Sequence, residues 1–303
     1  MPAPISGHTA LAGVLGDPVR HSLSPAMHNA ALAELGLDWV YLALPTPAEQ
    51  LETVVRGLEA LDCRGLSVTL PHKQTVAGLC RSLSPLAERV GAVNTLVRHP
   101  EGGWLGDNTD VTGFLAPLQA SGTSWQGQRA VVLGCGGSAR AVVAALVELG
   151  CGAIDVAGRS AARLETLLAP CRHWAPQVRG VAWDPQAATL RHALTRTDLV
   201  VNTTPVGMAS ATNPEAARHS PLTPTELEAL RPGSTVYDLI YTPRPTALLQ
   251  AASARGCRSL DGLEMLVQQG AAALRLWSGV DAVPVAAMRA AALARLGGGN
   301  SRP

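Results

Sequence analysis

The stretch Ala130-Val131-Val132-Leu133-Gly134-Cys135-Gly136-Gly137-Ser138-Ala139-Arg140 decides the fold. A wholly apolar run ends in a glycine-rich loop, and a helical segment, Ala139 to Leu149, opens from it. Strand, glycine loop and helix in that order form the phosphate-gripping turn of a dinucleotide-binding sheet. Glycines let the turn be tight and let backbone amides reach a pyrophosphate, while the helix N-terminus adds favourable partial charge. Gly134, Cys135, Gly136, Gly137 and Ser138 are therefore expected to hold a cofactor. The spacing is G-x-G-G-x-x-R rather than G-x-G-x-x-G, so a turn that only packs strand on helix is the competing reading.

The next strand selects the cofactor. An NAD site usually places an acid about 20 residues on, at the strand end, to hold the ribose 2′-hydroxyl. Here that place carries Gly158-Arg159-Ser160-Ala161-Ala162-Arg163, and the nearby Asp155 falls mid-strand. Guanidinium forks pair with phosphate oxygens, so Arg159 and Arg163 with the Ser160 hydroxyl suit a 2′-phosphate and favour NADP. The alternative is that both arginines simply begin a solvated helix.

Outward from this loop, strand and helix alternate along the whole chain, which predicts an α/β architecture. On the N-terminal side, Leu11 to Gly16, Trp39 to Leu44 and Leu66 to Leu70 read as strands, the last ended by Pro71. A helix is expected to start at Ser24-Pro25, with Ser24 as its cap and Gly36 as its stop. Pro47 to Leu61 carries Leu51, Val54, Val55, Leu58 and Leu61 at helical period. A linking helix is expected at Val111 to Ala120. Beyond the glycine loop, Ala153 to Ala157, Leu199 to Asn202 and Thr235 to Leu239 read as strands, and Leu263 to Leu296 as helical. The expected domains are residues 1–110, completed by 263–303, for substrate and catalysis, and 111–262 for the cofactor. Gly297 to Pro303 is expected to fray.

Three polar clusters in the first domain each follow an apolar run, where ligands meet open α/β sheets. They are Val68-Thr69-Leu70-Pro71-His72-Lys73, Gly91-Ala92-Val93-Asn94-Thr95 and Gly106-Asp107-Asn108-Thr109-Asp110. Thr69, Lys73, Asn94 and Asp110 suit the gripping of a small polyhydroxylated molecule and the movement of a proton on it. A Lys beside an Asp is a proton donor held in orientation. Singly, Lys73 reads as a surface lysine and Asp110 as a helix cap. A proton-handling cluster ahead of a hydride-cofactor site suggests a carbonyl/alcohol dehydrogenase.

Bulk composition excludes other classes. The 303 residues carry 24 basic and 23 acidic side chains for a net charge of +1, which gives no electrostatic case for nucleic acid or an anionic membrane. No apolar stretch approaches the length of a membrane span. The six cysteines are scattered without metal-ligand spacing, as expected of reduced thiols in a cytoplasmic protein. The N-terminus lacks a basic region followed by an apolar run, so no signal peptide is expected. The eight histidines show no ligand spacing, and no metal is expected.

With these motifs in this order, the chain resembles the NADP-dependent shikimate dehydrogenase family from Gly16 to about Gly279. The resemblance implies an N-terminal three-layer α/β substrate domain, a Rossmann-type NADP-binding domain and C-terminal helices that return to the first domain. It implies reduction of 3-dehydroshikimate to shikimate in aromatic amino acid biosynthesis, with Lys73 and Asp110 catalytic. Ser22 and Ser24, in His21-Ser22-Leu23-Ser24-Pro25, match the paired serines at the substrate carboxylate. Thr69, Asn94, Tyr241 and Gln269 match further substrate contacts. Asn202-Thr203-Thr204-Pro205-Val206-Gly207-Met208 resembles the loop bordering the nicotinamide, and Leu239, Gly262 and Met265 fall where the family approaches it. There are departures: Gly158 and Ser160 stand where the family's N-R-T-x-x-[RK] has Asn and Thr, Glu264 replaces a common Gly, and Pro85 replaces an acid carried by some members.

The alternative on the same fold is a quinate/shikimate dehydrogenase with relaxed substrate or cofactor use. A methylenetetrahydrofolate dehydrogenase-like protein leaves the paired serines and the Asn-Thr-Asp cluster unexplained. A non-catalytic NADP-sensing module would tolerate loss of Lys73 or Asp110, and both are present. A monomer or homodimer is expected.

Overall fold

The computed structural model describes residues 5–184, 188–209 and 213–297; of the segment expected to fray, Gly297 is helical and the rest lies outside them. The chain divides into two units, Met1–Gly113 with Leu266–Pro303, and Phe114–Met265.

In the first unit, β1 (Ala10–Gly16), β2 (Trp39–Pro45), β3 (Gly65–Val68), β4 (Ser82–Leu83), β5 (Thr95–Arg98) and β6 (Trp104–Asp107) form one sheet. Its order is β2-β1-β3-β5-β6-β4. The first three strands run parallel, joined through α1 (Ser24–Leu35) and α2 (Leu51–Ala60), whereas β5 is antiparallel to both its neighbours. α3 (Pro85–Val90) precedes β5, and α4 (Asp110–Ala120) follows β6. Helical period on α2 brings Leu51, Val55 and Leu58 to one stripe, buried against Leu15, Leu66, Val68, Leu96 and Trp104 of the sheet.

Three local expectations need correction. Ser24 is the first residue of α1, not its cap: Leu23 takes that place without a side-chain bond, and Ser22 Oγ accepts the Ser24 N–H at 3.2 Å. Pro25 tolerates this because a second helical position needs no N–H partner inside the helix. The helix expected from Pro47 begins at Leu51, after a tight turn at Ala48–Gln50. β3 ends at Val68 rather than Leu70, because the chain bends and the Leu70 carbonyl accepts Asp17 N–H instead of continuing the ladder.

In the second unit, β7 (Arg129–Leu133), β8 (Ala153–Gly158), β9 (Val178–Ala182), β10 (Leu199–Asn202), β11 (Thr235–Asp238) and β12 (Arg258–Leu260) are all parallel. The order β12-β11-β10-β7-β8-β9 reverses direction between β7 and β10, the doubly wound Rossmann arrangement. α5 (Gly137–Glu148), α6 (Ala161–Cys171), α7 (Thr189–Leu194), α8 (Pro224–Glu228) and α9 (Ala247–Ala254) cover the sheet. Strands buried on both faces read as unbroken apolar runs, as Val131-Val132-Leu133 and Leu199-Val200-Val201 do.

The C-terminal segment is two helices, α10 (Leu263–Ser278) and α11 (Val285–Gly297), separated where Gly279 takes φ +70° and Pro284 follows. α11 packs on α1. Trp277 of α10 donates its indole N–H to the Leu96 carbonyl at 3.0 Å and lies against Gly65, filling the space a Cβ there would need. Gly65→Ala is accordingly expected to destabilise the fold by about 1–3 kcal/mol through overpacking, read as a lower denaturant midpoint at unchanged slope.

Candidate active site

One end of the first sheet gathers the polar clusters, and its topology explains why. The parallel strands β1 and β3 end there, antiparallel β5 begins there, and β6 ends there before α4. Asn94, just before β5, accepts Val68 N–H through its carbonyl and donates its own N–H to the Asp107 carbonyl. The turn after β3 is pinned as well: Lys73's carbonyl accepts Val93 N–H at 2.7 Å, and the buried His72 ring bonds the Thr46 carbonyl through Nε2.

From this frame the Lys73 ammonium reaches Asp110, donating to Oδ2 at 2.5 Å. The two side chains are only 12% and 6% exposed, which rules out a solvated surface lysine. Asp110 Oδ1 accepts Asn94 Nδ2–H at 2.8 Å, and the same amide reaches Gln269 Oε1 at 3.4 Å. Lys73, Asp110, Asn94 and Gln269 thus form one connected set. Ser22 and Ser24 follow β1 in the same unit, and Thr69 follows β3, its methyl packed where a Cβ on Gly16 would sit. None of the three bonds to the set among the described residues.

Sequence reasoning missed the residues that hold this set rigid. Asn94 Oδ1 accepts from the Thr109 N–H at 2.7 Å and the Thr95 hydroxyl at 2.9 Å. Asn108, 1% exposed, accepts Asp110 N–H on Oδ1 and donates from Nδ2 to the Ala92 carbonyl. Ser84 caps α3 and donates its hydroxyl to Asp107 at 2.5 Å. Thr95, Asn108 and Thr109 were visible as the neighbours of Asn94 and Asp110 in the polar clusters, whereas Ser84 lies outside them. What was unreadable is that they bond each other across the β5–β6 hairpin.

The second unit supplies a nucleotide cradle. Gly134 takes φ +110°, and a Cβ on it would come within 2.6 Å of Thr203 Oγ1, so only glycine fits. Gly136 leads into α5 with no side-chain cap and open space around it. The first amides of α5 are left for an anion, with Gly137 and Ser138 opening the helix. At the end of β8, Gly158 is buried beside Cys135, while Arg159, Ser160 and Arg163 are exposed and no acid sits in the first turn of α6. Ser160 Oγ accepts Arg163 N–H as cap of α6, leaving its own O–H to donate. This donor set fits NADP: amides for the pyrophosphate, and two guanidinium groups with a hydroxyl for the 2′-phosphate. At the far side of the sheet Gly262 lies against the Leu239 main chain, and Met265 is 8% exposed. Tyr241 follows β11, its phenol pushed above the ordinary range by burial. Among the described residues no helix is long and apolar enough to cross a membrane.

Comparison with known proteins identifies the family. The family of the shikimate dehydrogenase substrate binding domain matches residues 14–96, and that of the shikimate 5′-dehydrogenase C-terminal domain matches 262–293. The chain is 48% identical to the shikimate dehydrogenase (NADP(+)) of Synechococcus sp. (strain JA-3-3Ab), over 98% of this chain and 99% of that one. It is similar to the crystal structure of shikimate 5-dehydrogenase from Thermus thermophilus in complex with NADP(H) and shikimate. The TM-score is 0.81 and the identity 38%, covering 95% of this chain and 100% of that one. Quinate dehydrogenase from Corynebacterium glutamicum in complex with NAD is also similar, at TM-score 0.82 and 32% identity, covering 94% and 99%.

Proposed function

Because this chain belongs to the shikimate dehydrogenase family, we propose that it catalyses the reversible NADP-dependent reduction of 3-dehydroshikimate to shikimate. One observation carries the chemistry: a buried Lys73–Asp110 pair fixed by Asn94, in the same unit as the paired serines. When bound, NADPH supplies the hydride for the C3 carbonyl carbon. Lys73 gives a proton from Nζ to the oxygen as its charge develops, and takes it back in the oxidation. Asp110 holds Nζ from one oxygen and is itself held through the other, so the proton is aimed before the reaction begins. Thr69, Asn94 and Gln269 hold the ring hydroxyls, and Ser22, Ser24 and Tyr241 the carboxylate. Gly134 to Ser138, with Gly158, Arg159, Ser160, Arg163, Leu239, Gly262 and Met265, form the cofactor site. The domains are residues 1–110 with 263–303 and 111–262, and the protein is a cytoplasmic monomer or homodimer.

A reduced-cofactor absorbance assay that crosses shikimate and quinate with NADP and NAD tests this function. Fast reduction of NADP with shikimate alone is expected. Absence of turnover with every pair would sink it.

A second reading, broader quinate or NAD use, is favoured by Gly158 where the family carries Asn. Gly158 takes no positive φ, and a Cβ there would meet Cys135 Sγ at 3.4 Å and Leu164 Cβ at 3.5 Å, both ordinary contacts. The position therefore accepts a side chain. Gly158→Asn is expected to raise the preference for NADP over NAD by up to about tenfold, the worth of one hydrogen bond to a charged phosphate. The ratio of kcat/KM for the two cofactors measures it; an unchanged ratio removes Gly158 as a cause of relaxed use.

A further inference from the structure

In an open parallel sheet a dinucleotide lies across the strand ends on both sides of the point where strand order reverses. Here the glycine loop after β7 takes the pyrophosphate, and the arginines after β8 take the adenosine side. The second nucleotide is then left to the ends of β10 and β11, where the Arg244 guanidinium is already paired with Asp261. Those ends carry a buried carboxylate that the proton chemistry does not use.

We propose that Asp238 is a positioning residue that ties the loop after β10 to the loop after β11, and so shapes the nicotinamide half of the cofactor site. This rests on the proposed NADP function and deepens it.

Asp238 is fully buried, and its partners are three uncharged donors, one from the end of β10 and two from the segment that follows β11. Oδ1 accepts Asn202 Nδ2–H at 2.9 Å and Ile240 N–H at 3.1 Å; Oδ2 accepts the Thr246 hydroxyl at 2.7 Å. Asn202, the last residue of β10 and also fully buried, passes the constraint on. Its Oδ1 accepts from the Thr204 N–H at 3.0 Å and the Thr204 hydroxyl at 2.8 Å, and that hydroxyl accepts Val206 N–H at 3.3 Å. Thr246, the N-terminal cap of α9, is the opposite anchor. One chain of hydrogen bonds thus runs from the start of α9, through Asp238, into the loop Thr203–Met208. That loop also touches the glycine cradle, since Thr203 bonds the Leu133 carbonyl and crowds Gly134.

A local turn needs only the Ile240 bond and would leave the carboxylate in water. A carboxylate kept only for stability would have a cation beside it. Instead burial pushes the Asp238 carboxyl up to about 6, against the pull of its three hydrogen bonds, with the Asp261 charge adding to the rise. The charge is held at a cost to folding, as expected of a group retained for what it positions.

The test compares NADP with 2′,5′-ADP, which carries the adenosine and 2′-phosphate contacts but no nicotinamide. Asp238→Ala removes all three acceptors. It is expected to weaken NADP binding, measured by calorimetric titration, by about tenfold while 2′,5′-ADP stays within about twofold. Asp238→Asn keeps Oδ1 for Asn202 and Ile240 and offers its amide to the Thr246 oxygen, so it should recover NADP binding to within about threefold. Thr204→Val cuts the chain at its half-buried far end; it should show the same split at about threefold, and it carries the test if Asp238→Ala does not fold. Equal losses of both ligands, or no loss of NADP, overturn the proposal. Wild-type protein that binds NADP but turns over neither shikimate nor quinate sinks the function and leaves the binding comparison standing; no NADP binding overturns both.

Discussion

Lys73→Ala is expected to lose about 10²–10⁴ in kcat, some 3–5 kcal/mol of transition-state stabilisation, with the KM for shikimate little changed. The split follows from the geometry. The Lys73 ammonium is already committed to Asp110, so its interaction with a neutral carbonyl in the ground state is weak. Its full worth appears only as the oxygen gains charge. The ring hydroxyls and carboxylate have their own proposed partners, which the substitution leaves in place. Lys73→Arg separates charge from proton transfer: a guanidinium keeps the ion pair but does not give up its proton near neutral pH. It should be nearly as slow as Lys73→Ala, again with shikimate KM preserved. An arginine variant that turned over near the wild-type rate would leave Lys73 an electrostatic role and move proton donation elsewhere. A large rise in KM would make it a binding residue.

The two units differ in how far their sequence could be read. In the second, the central strands β7 and β10 are buried and appear as apolar runs, and the Gly134 loop marks β7 as the strand from which the sheet is wound. The exposed edge strands β9, with Arg179, and β12, with Arg258 and Ser259, carry no such run and were missed. In the first, β4, β5 and β6 are two to four residues long, and a tight turn through Gly102 and Gly103, both at positive φ, joins the last two. Periodicity has no room to declare itself in such strands, and the antiparallel hairpin was missed. Yet that hairpin brings Asn94 to Asp110. The residue types were legible as polar clusters after apolar runs; their mutual bonds were not. Hydrogen bonds such as Asn94 to Thr109 or Asn202 to Asp238 join positions 15 and 36 apart, and nothing local in the chain announces them. The same holds at helix ends. Ser24-Pro25 located the start of α1 to within one residue, but which serine accepts the free amide depends on the backbone angle at Leu23.

Asp110→Ala is expected to slow turnover by about 10², because an ammonium freed from its partner leaves the line of proton transfer. It should also destabilise the fold by about 3–5 kcal/mol, the cost of leaving the Lys73 charge buried and unpaired. Combining it with Lys73→Ala distinguishes a unit from two independent groups. Independent contributions would multiply, so the double variant would be slower than Lys73→Ala by the further 10². If Asp110 acts only by aiming Lys73, the double variant is expected within about threefold of Lys73→Ala alone. Stability should move the other way: the double variant, with no buried charge left single, should have a higher denaturant midpoint than Asp110→Ala. The recovery should be incomplete, because Asn94 Nδ2 loses its bond to Asp110 Oδ1 and keeps only those to Thr109 and Gln269. Multiplying rate losses would show that Asp110 acts on the substrate directly. Compounding stability losses would show that each side chain holds the first unit together through contacts other than this pair.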